Sequence, residues 1–149
     1  MTAVVLADKH SISSYWERGS IILNRPTGAT VNLGDVVYMD ANNLVQPAIG
    51  NSAVIKSQSL GVVSGVPNQF AETSVPTGSY CAVTIRGPVF GIIGTPALSS
   101  GQQLYVSKTV AGGLDTTAPS GGAYDFVVGN MIDATTLFVD PGQSAPASV

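Results

Sequence analysis

The chain has one cysteine, one histidine and one tryptophan in 149 residues. A single cysteine excludes an intrachain disulfide, so the fold must rest on its own hydrophobic core. The length allows this, because a domain of ~150 residues buries roughly two-thirds of the surface its unfolded chain exposes. The only histidine, His10, sits near the N-terminus, where a Ser-His-Asp triad is hardest to pre-organise. His10 is therefore read as a solvated or partner-contacting side chain. Charge is scarce too: Asp, Glu, Lys and Arg make up 10% of the chain, against about 25% in a typical soluble domain. The six basic residues, Lys9, Arg18, Arg25, Lys56, Arg86 and Lys108, are scattered singly. That excludes the clustered surface with which a protein tracks nucleic-acid phosphates. No apolar run approaches the ~20 residues of a membrane span. The stretch from Met1 to Lys9 lacks the basic n-region and full apolar core of a signal peptide, so the chain is expected to be made without Sec export.

The signatures of cofactor and nucleophile chemistry are also missing. There is no Gly-x-Ser-x-Gly, no Gly-x-x-x-x-Gly-Lys-Ser/Thr phosphate loop and no Gly-x-Gly-x-x-Gly. Gly87, Gly91 and Gly94 have the wrong spacing for the last of these and read as strand punctuation. Asp35, Asp40, Asp115, Asp125, Asp133 and Asp140 offer carboxylate pairs of the glycosidase kind. They lie beside turns, where an aspartate normally accepts hydrogen bonds from its own backbone. No Asp-x-Asp-x-Asp-Gly calcium loop occurs. Cys81, between Tyr80 and Ala82 in an apolar run, reads as a buried inert thiol. No catalytic, cofactor-binding or metal-ligating residue is assigned, and the chain is expected not to be an enzyme.

What the chain does contain is a box that occurs twice. Gly34-Asp-Val-Val-Tyr38-Met-Asp40 runs into a polar turn and returns through Leu44-Val-Gln-Pro47. Gly101-Gln-Gln-Leu-Tyr105-Val-Ser107 runs into another turn and returns through Leu114-Asp-Thr-Thr-Ala-Pro119. Each copy then reaches an apolar stretch with an embedded glycine, Leu60-Gly-Val-Val63 and Phe126-Val-Val-Gly-Asn-Met-Ile132. A glycine that turns the chain, a half-buried strand, a hairpin and a return strand account for this pattern. Tyr38 and Tyr105 then hold matched cross-strand positions. Two further strands are expected at Tyr80-Cys-Ala-Val-Thr-Ile85 and Gly87 to Gly94. No segment shows the i, i+3, i+4, i+7 pattern of a helix. The predicted fold is all-β: a single-domain β-sandwich or distorted β-barrel with two pseudo-repeated hairpins and an extended N-terminal arm. The predicted boundaries are an arm over residues 1–18, a β domain over 19–140 and a flexible tail over 141–149.

A charge-poor β protein whose surface is covered by Ser, Thr, Asn, Gln and Gly is suited to facing other protein, because charged residues are depleted at interface cores. The arm carries Tyr15, Trp16 and Arg18, the residue types enriched at interface hot spots. These three are the candidate partner-binding residues.

The succession Gly19-Ser-Ile-Ile-Leu-Asn-Arg-Pro-Thr-Gly28, Leu33-Gly-Asp-Val-Val-Tyr38, Val83-Thr-Ile-Arg-Gly-Pro-Val-Phe90 and Ser100-Gly-Gln-Gln-Leu-Tyr105-Val resembles the small β-rich capsid decoration, or cement, proteins of tailed bacteriophages. The resemblance covers most of Gly19 to Val139. It implies a non-enzymatic virion protein without cofactor on the capsid exterior, bound to the major capsid protein and to itself, often as a homotrimer, with no nucleic-acid or membrane partner. The run Gly112 to Pro119 also resembles modules of phage head fibres and tail fibres, so a fibre or receptor-binding appendage module is the alternative.

Overall fold

Fourteen strands and one 3₁₀ turn (Lys9–Ser11) account for the regular structure of the residues that the computed structural model describes, which are 3–14, 19–50, 60–117 and 126–142. In chain order the strands are β1 (Ala3–Ala7), β2 (Ser13–Ser14), β3 (Ile21–Pro26), β4 (Val31–Asn32), β5 (Val36–Met39), β6 (Val45–Pro47) and β7 (Leu60–Gly65). They continue as β8 (Ser74–Val75), β9 (Tyr80–Phe90), β10 (Ile93–Thr95), β11 (Gln103–Val106), β12 (Leu114–Asp115), β13 (Val127–Asp133) and β14 (Thr136–Gly142). The fold is all-β, as expected: a curled antiparallel sheet in the order β10-β1-β12-β11-β13-β14-β9-β7-β5-β6 forms a half-barrel. β2 and β3 also pair with β9, and β4 pairs with β8 in a small separate ladder.

The sheet order contains the repeat. β5, β6, β7 and β9 in the first half correspond to β11, β12, β13 and β14 in the second, and the two sets lie in mirrored order about the β9–β14 junction. Those two strands run antiparallel, with Leu137↔Val89, Phe138↔Pro88 and Val139↔Gly87 in register. A half-turn about an axis normal to a sheet relates antiparallel strands in this way. One step further along the register, Arg86 and Asp140 form an ion pair at 3.1 Å, with the Arg86 guanidinium 5.9 Å from the centre of the Phe138 ring.

The correspondence extends to single hydrogen bonds. Gly34 and Gly101 both hold positive φ, 86° and 82°, a conformation that costs glycine nothing and a residue with Cβ more. Gly34 N–H donates to Val63 O at 2.8 Å and Gly101 N–H to Met131 O at 2.7 Å. The next residue in each box folds its side chain back three residues: Asp35 Oδ2 accepts from Asn32 N–H at 2.9 Å, and Gln102 Oε1 from Ser99 N–H at 3.0 Å. At the hairpin tips Asp40 Oδ1 accepts from Asn42 and Leu44 N–H, as Ser107 Oγ does from Thr109 and Val110 N–H. Tyr38 lies opposite Gln46 and Leu60, and Tyr105 opposite Asp115 and Val127. The embedded glycines match as well, Gly61 opposite Val37 and Gly129 opposite Leu104.

Val36, Val37, Val62, Val63, Leu104, Val128, Leu137 and Val139 are fully buried. Adjacent residues in a strand point to opposite faces, so burial of both Val36 and Val37 means that both faces of the curl are covered there. β9 lies at the junction of the two halves. β3 and β7 pair along its first half, β14 and β2 along its second. The sequence suggested two strands here; the structure has one, interrupted at Gly87 by a φ of 124°. A glycine permits that backbone without breaking the ladder.

Where it is described, the N-terminal segment pairs with the sheet. β1 pairs with β12 through Ala3↔Asp115 and Val4↔Leu114, then with β10 through Val5↔Thr95, Leu6↔Gly94 and Ala7↔Ile93. Ile12 is fully buried, and β2 adds Ser13 and Ser14 to β9. A strand edge offers unpaired N–H and C=O groups, and the short apolar run at the N-terminus fills one. At the C-terminal end of the described residues Gly142 pairs with Val127.

Candidate functional site

A cleft of about 310 Å³ opens where β1, the Asn32–Asp35 turn and the β11–β12 hairpin loop meet. Its walls are mostly apolar, from Val4, Val5, Leu6, Val110 and Leu114, and its polar groups are Lys9, Asn32 and Asp35. The sheet's curl builds it by bringing the β6 end against the β11–β12 loop. Val36 N–H donates to Gly112 O at 2.9 Å, Gly112 N–H to Ala48 O at 2.8 Å and Gly50 N–H to Ser107 O at 2.9 Å. Gly112, at φ 79°, lies directly on the Asp35 carboxyl: a Cβ there would come within 2.9 Å of Asp35 Cγ. Burial pushes the Asp35 carboxyl from its ordinary 3.8 up to about 6, against the opposing effects of the Asn32 N–H and the nearby Lys9 ammonium. An acid with a cation beside it, set in apolar walls, is suited to receive an apolar side chain flanked by charge.

Beside this cleft a second feature points outward. The turn from Pro67 to Ala71 presents Phe70 with its side chain wholly exposed, at 101%. The turn is held to the N-terminal segment from both sides. His10 Nδ1 donates to Gln69 O at 2.8 Å, and Gln69 Nε2 donates to the carbonyl of Ile12. Ala71 and Glu72 N–H both donate to Asn68 O, closing the turn on itself. Phe70 therefore stands on a fixed base.

The residues singled out from the sequence are placed as follows. Tyr15, Trp16 and Arg18 lie outside the described residues, as does Asp125. His10 is exposed and serves as a clamp on the Phe70 turn. Cys81 is buried, and burial first, then the nearby Asp35, pushes its thiol up to about 11. It is therefore an inert thiol near neutral pH. Asp40 is held below the usual carboxylate range by the Gln46 amide and the Leu44 N–H, and Asp133 by the Thr135 N–H and the Thr136 hydroxyl. Both cap turns. Asp115 does likewise, accepting from Thr117 N–H at 3.1 Å. Among the described residues no three His, Cys, Asp or Glu side chains are grouped so as to hold a metal ion, and no helix is long and apolar enough to cross a membrane.

Sequence reasoning passed over Phe70 and the Asp35–Lys9 pairing. The signal for Phe70 was an aromatic inside the turn-forming run Pro67-Asn-Gln-Phe70, with no alternating apolar neighbours to bury it. Nothing local signalled that Lys9 and Asp35 would share a cleft, because 26 positions separate them and the curl alone brings them together. No protein-family model matches the chain, and no curated protein matches it.

Proposed function

We propose that the chain is a non-enzymatic structural protein of a tailed-phage virion, a capsid decoration or cement protein that binds the outer surface of the shell as a homotrimer. The observation that carries this reading is the surface: Phe70, Val5, Ile132 and Tyr80 stand more than half exposed on a rigid all-β frame, in a chain with only six basic and nine acidic residues. Large apolar side chains held out on fixed backbone suit protein–protein contact, where aromatic residues are enriched and charge is depleted. The resemblance of Gly19 to Val139 to cement proteins supplies the kind of partner.

A lattice partner changes the affinity arithmetic. One protomer interface of roughly 800 Å² gives modest binding, whereas three linked copies engaging together gain avidity from effective concentration. A protein that binds the assembled shell better than free capsid subunits stabilises the assembly by mass action. Electron microscopy of purified shells with and without the protein tests the reading directly. Decorated shells that withstand heating better than bare ones are the expected result, and shells that never bind the protein would overturn it.

The role assigned to the segment around Trp16 has its own test. Trp16→Ala should lower shell occupancy by about 2 kcal/mol per site, roughly thirtyfold in affinity, with the melting temperature of the free protein unchanged. A lowered melting temperature with normal occupancy would make Trp16 part of the protein's own core.

A further inference from the structure

We infer that the exposed Phe70 turn of one copy seats in the Lys9–Asp35 cleft of a neighbouring copy, making the contact that joins protomers. This rests on the reading of the chain as a homo-oligomeric structural protein, and it names the surface that reading leaves open.

Three observations select a second copy of this chain as the occupant. The first is shape. Among the described residues Phe70 is the most exposed of the large apolar side chains, and a phenyl group gains most by burying its 150–250 Å², roughly, in an apolar recess. The cleft offers about 310 Å³ between Val4, Leu6, Val110 and Leu114, enough for one aromatic ring. Val5 and Val110 at its rim are themselves 66% and 50% exposed, so the ring would cover apolar surface already open to water.

The second observation is charge. Glu72 stands two residues from Phe70 and is exposed, while Lys9 and the mostly buried Asp35 line the cleft. Seating Phe70 carries a carboxylate toward an ammonium, and complementary charges of this kind steer encounter and fix register.

The third observation is position. His10, which clamps the Phe70 turn, follows directly on Lys9, which lines the cleft. Knob and recess therefore lie side by side on one region of the surface. A knob of one copy entering the recess of the next is a heterologous contact, which closes into a ring when the rotation fits. Adjacent knob and recess place that contact near the ring's axis. Phe70 alone supplies only part of the ~800 Å² per side of a stable interface, so it is the anchor and the rest of the Pro67–Glu72 turn the surround.

Sedimentation analysis of the full chain tests the inference. The wild type should associate at concentrations of about 10–100 μM, as a modest interface requires. Phe70→Ala should weaken association at least about tenfold, the effect of losing an interface hot spot, without lowering the melting temperature of the dilute protein. Lys9→Glu should weaken association as well, and the pair Lys9→Glu with Glu72→Lys should restore it. The double variant Ala71→Cys with Val110→Cys, which keeps Phe70, should give covalent oligomers on oxidation, with Cys81 buried and out of reach. A wild type that stays monomeric, an association indifferent to Phe70→Ala, a charge reversal without rescue, or no cross-linked oligomer would each overturn the inference. Shell occupancy is measured separately. Normal decoration by a protein whose association ignores Phe70 removes this inference and leaves the decoration reading standing, while an association that obeys every variant with no shell binding does the reverse.

Discussion

Gly129→Ala should destabilise the protein by more than about 4 kcal/mol, a loss found only when a substitution breaks a specific structural feature. The Cβ would fall far inside van der Waals contact with the backbone carbonyl oxygen of Phe138, and 3.1 Å from Val139 Cα. Those atoms belong to β14, which is held between β13 and β9. No side-chain rotation relieves the clash, so the ladder at the centre of the sheet must move. Its counterpart in the first half provides the control. A Cβ on Gly61 would meet the Val83 Cγ1 and Ile85 Cγ2 methyls at 2.5 and 3.0 Å and the Thr84 carbonyl oxygen at 3.0 Å, a lighter clash with backbone than at Gly129. Overpacking of that kind typically costs about 1–3 kcal/mol. Urea denaturation of both variants should therefore separate two glycines that the repeat makes equivalent. A Gly129→Ala protein within about 1 kcal/mol of wild type would show that β14 adjusts freely.

The same pair of glycines shows how much of the fold could be read from the residues. Their recurrence after each Tyr box, with the turn glycines Gly34 and Gly101, was enough to expect two equivalent hairpins. The structure places them in register and in mirrored order about β9 and β14. Local spacing carries that information because a hairpin's turn and register are fixed by neighbours in sequence. The sheet's curl is not local. It decides that the hairpin loop at Gly112 packs on Asp35, that Lys9 joins them, and that β1 fills an edge between β10 and β12. The short run Ala3–Ala7 has too few residues for a periodicity to declare itself as a strand. The candidate site suffered in the same way. Each of its walls was visible as a segment, but their meeting depends on contacts between residues far apart in the chain.

Asp35→Asn should stabilise the protein near neutral pH by up to about 3 kcal/mol, at about 1.4 kcal/mol for each tenfold displacement of a protonation equilibrium. The sign follows from the direction of the shift. Burial raises the folded-state value from 3.8 to about 6, so the folded protein holds this proton more tightly than the unfolded chain does. The stabilisation from holding it is fully present below about pH 4, declines as pH rises, and is lost above about pH 6, where the carboxyl must ionise while buried. The Lys9 ammonium opposes the shift without cancelling it, and Asn32 N–H is already bonded to Oδ2. An asparagine at this position keeps an acceptor for that N–H and carries no charge at any pH. The variant-minus-wild-type difference in unfolding free energy should therefore be small near pH 4 and grow to its full size by about pH 7. Taking the difference is essential, because Asp40 and Asp133, whose carboxyls are held below their usual range, make both proteins less stable as the solution is acidified. Dilute protein should be used, so that association through the cleft does not add to the result. A difference that stays flat from pH 4 to 7, or a variant less stable than wild type at neutral pH, would mean that the Asp35 carboxyl sheds its proton at the ordinary pH and that solvent reaches it through the cleft.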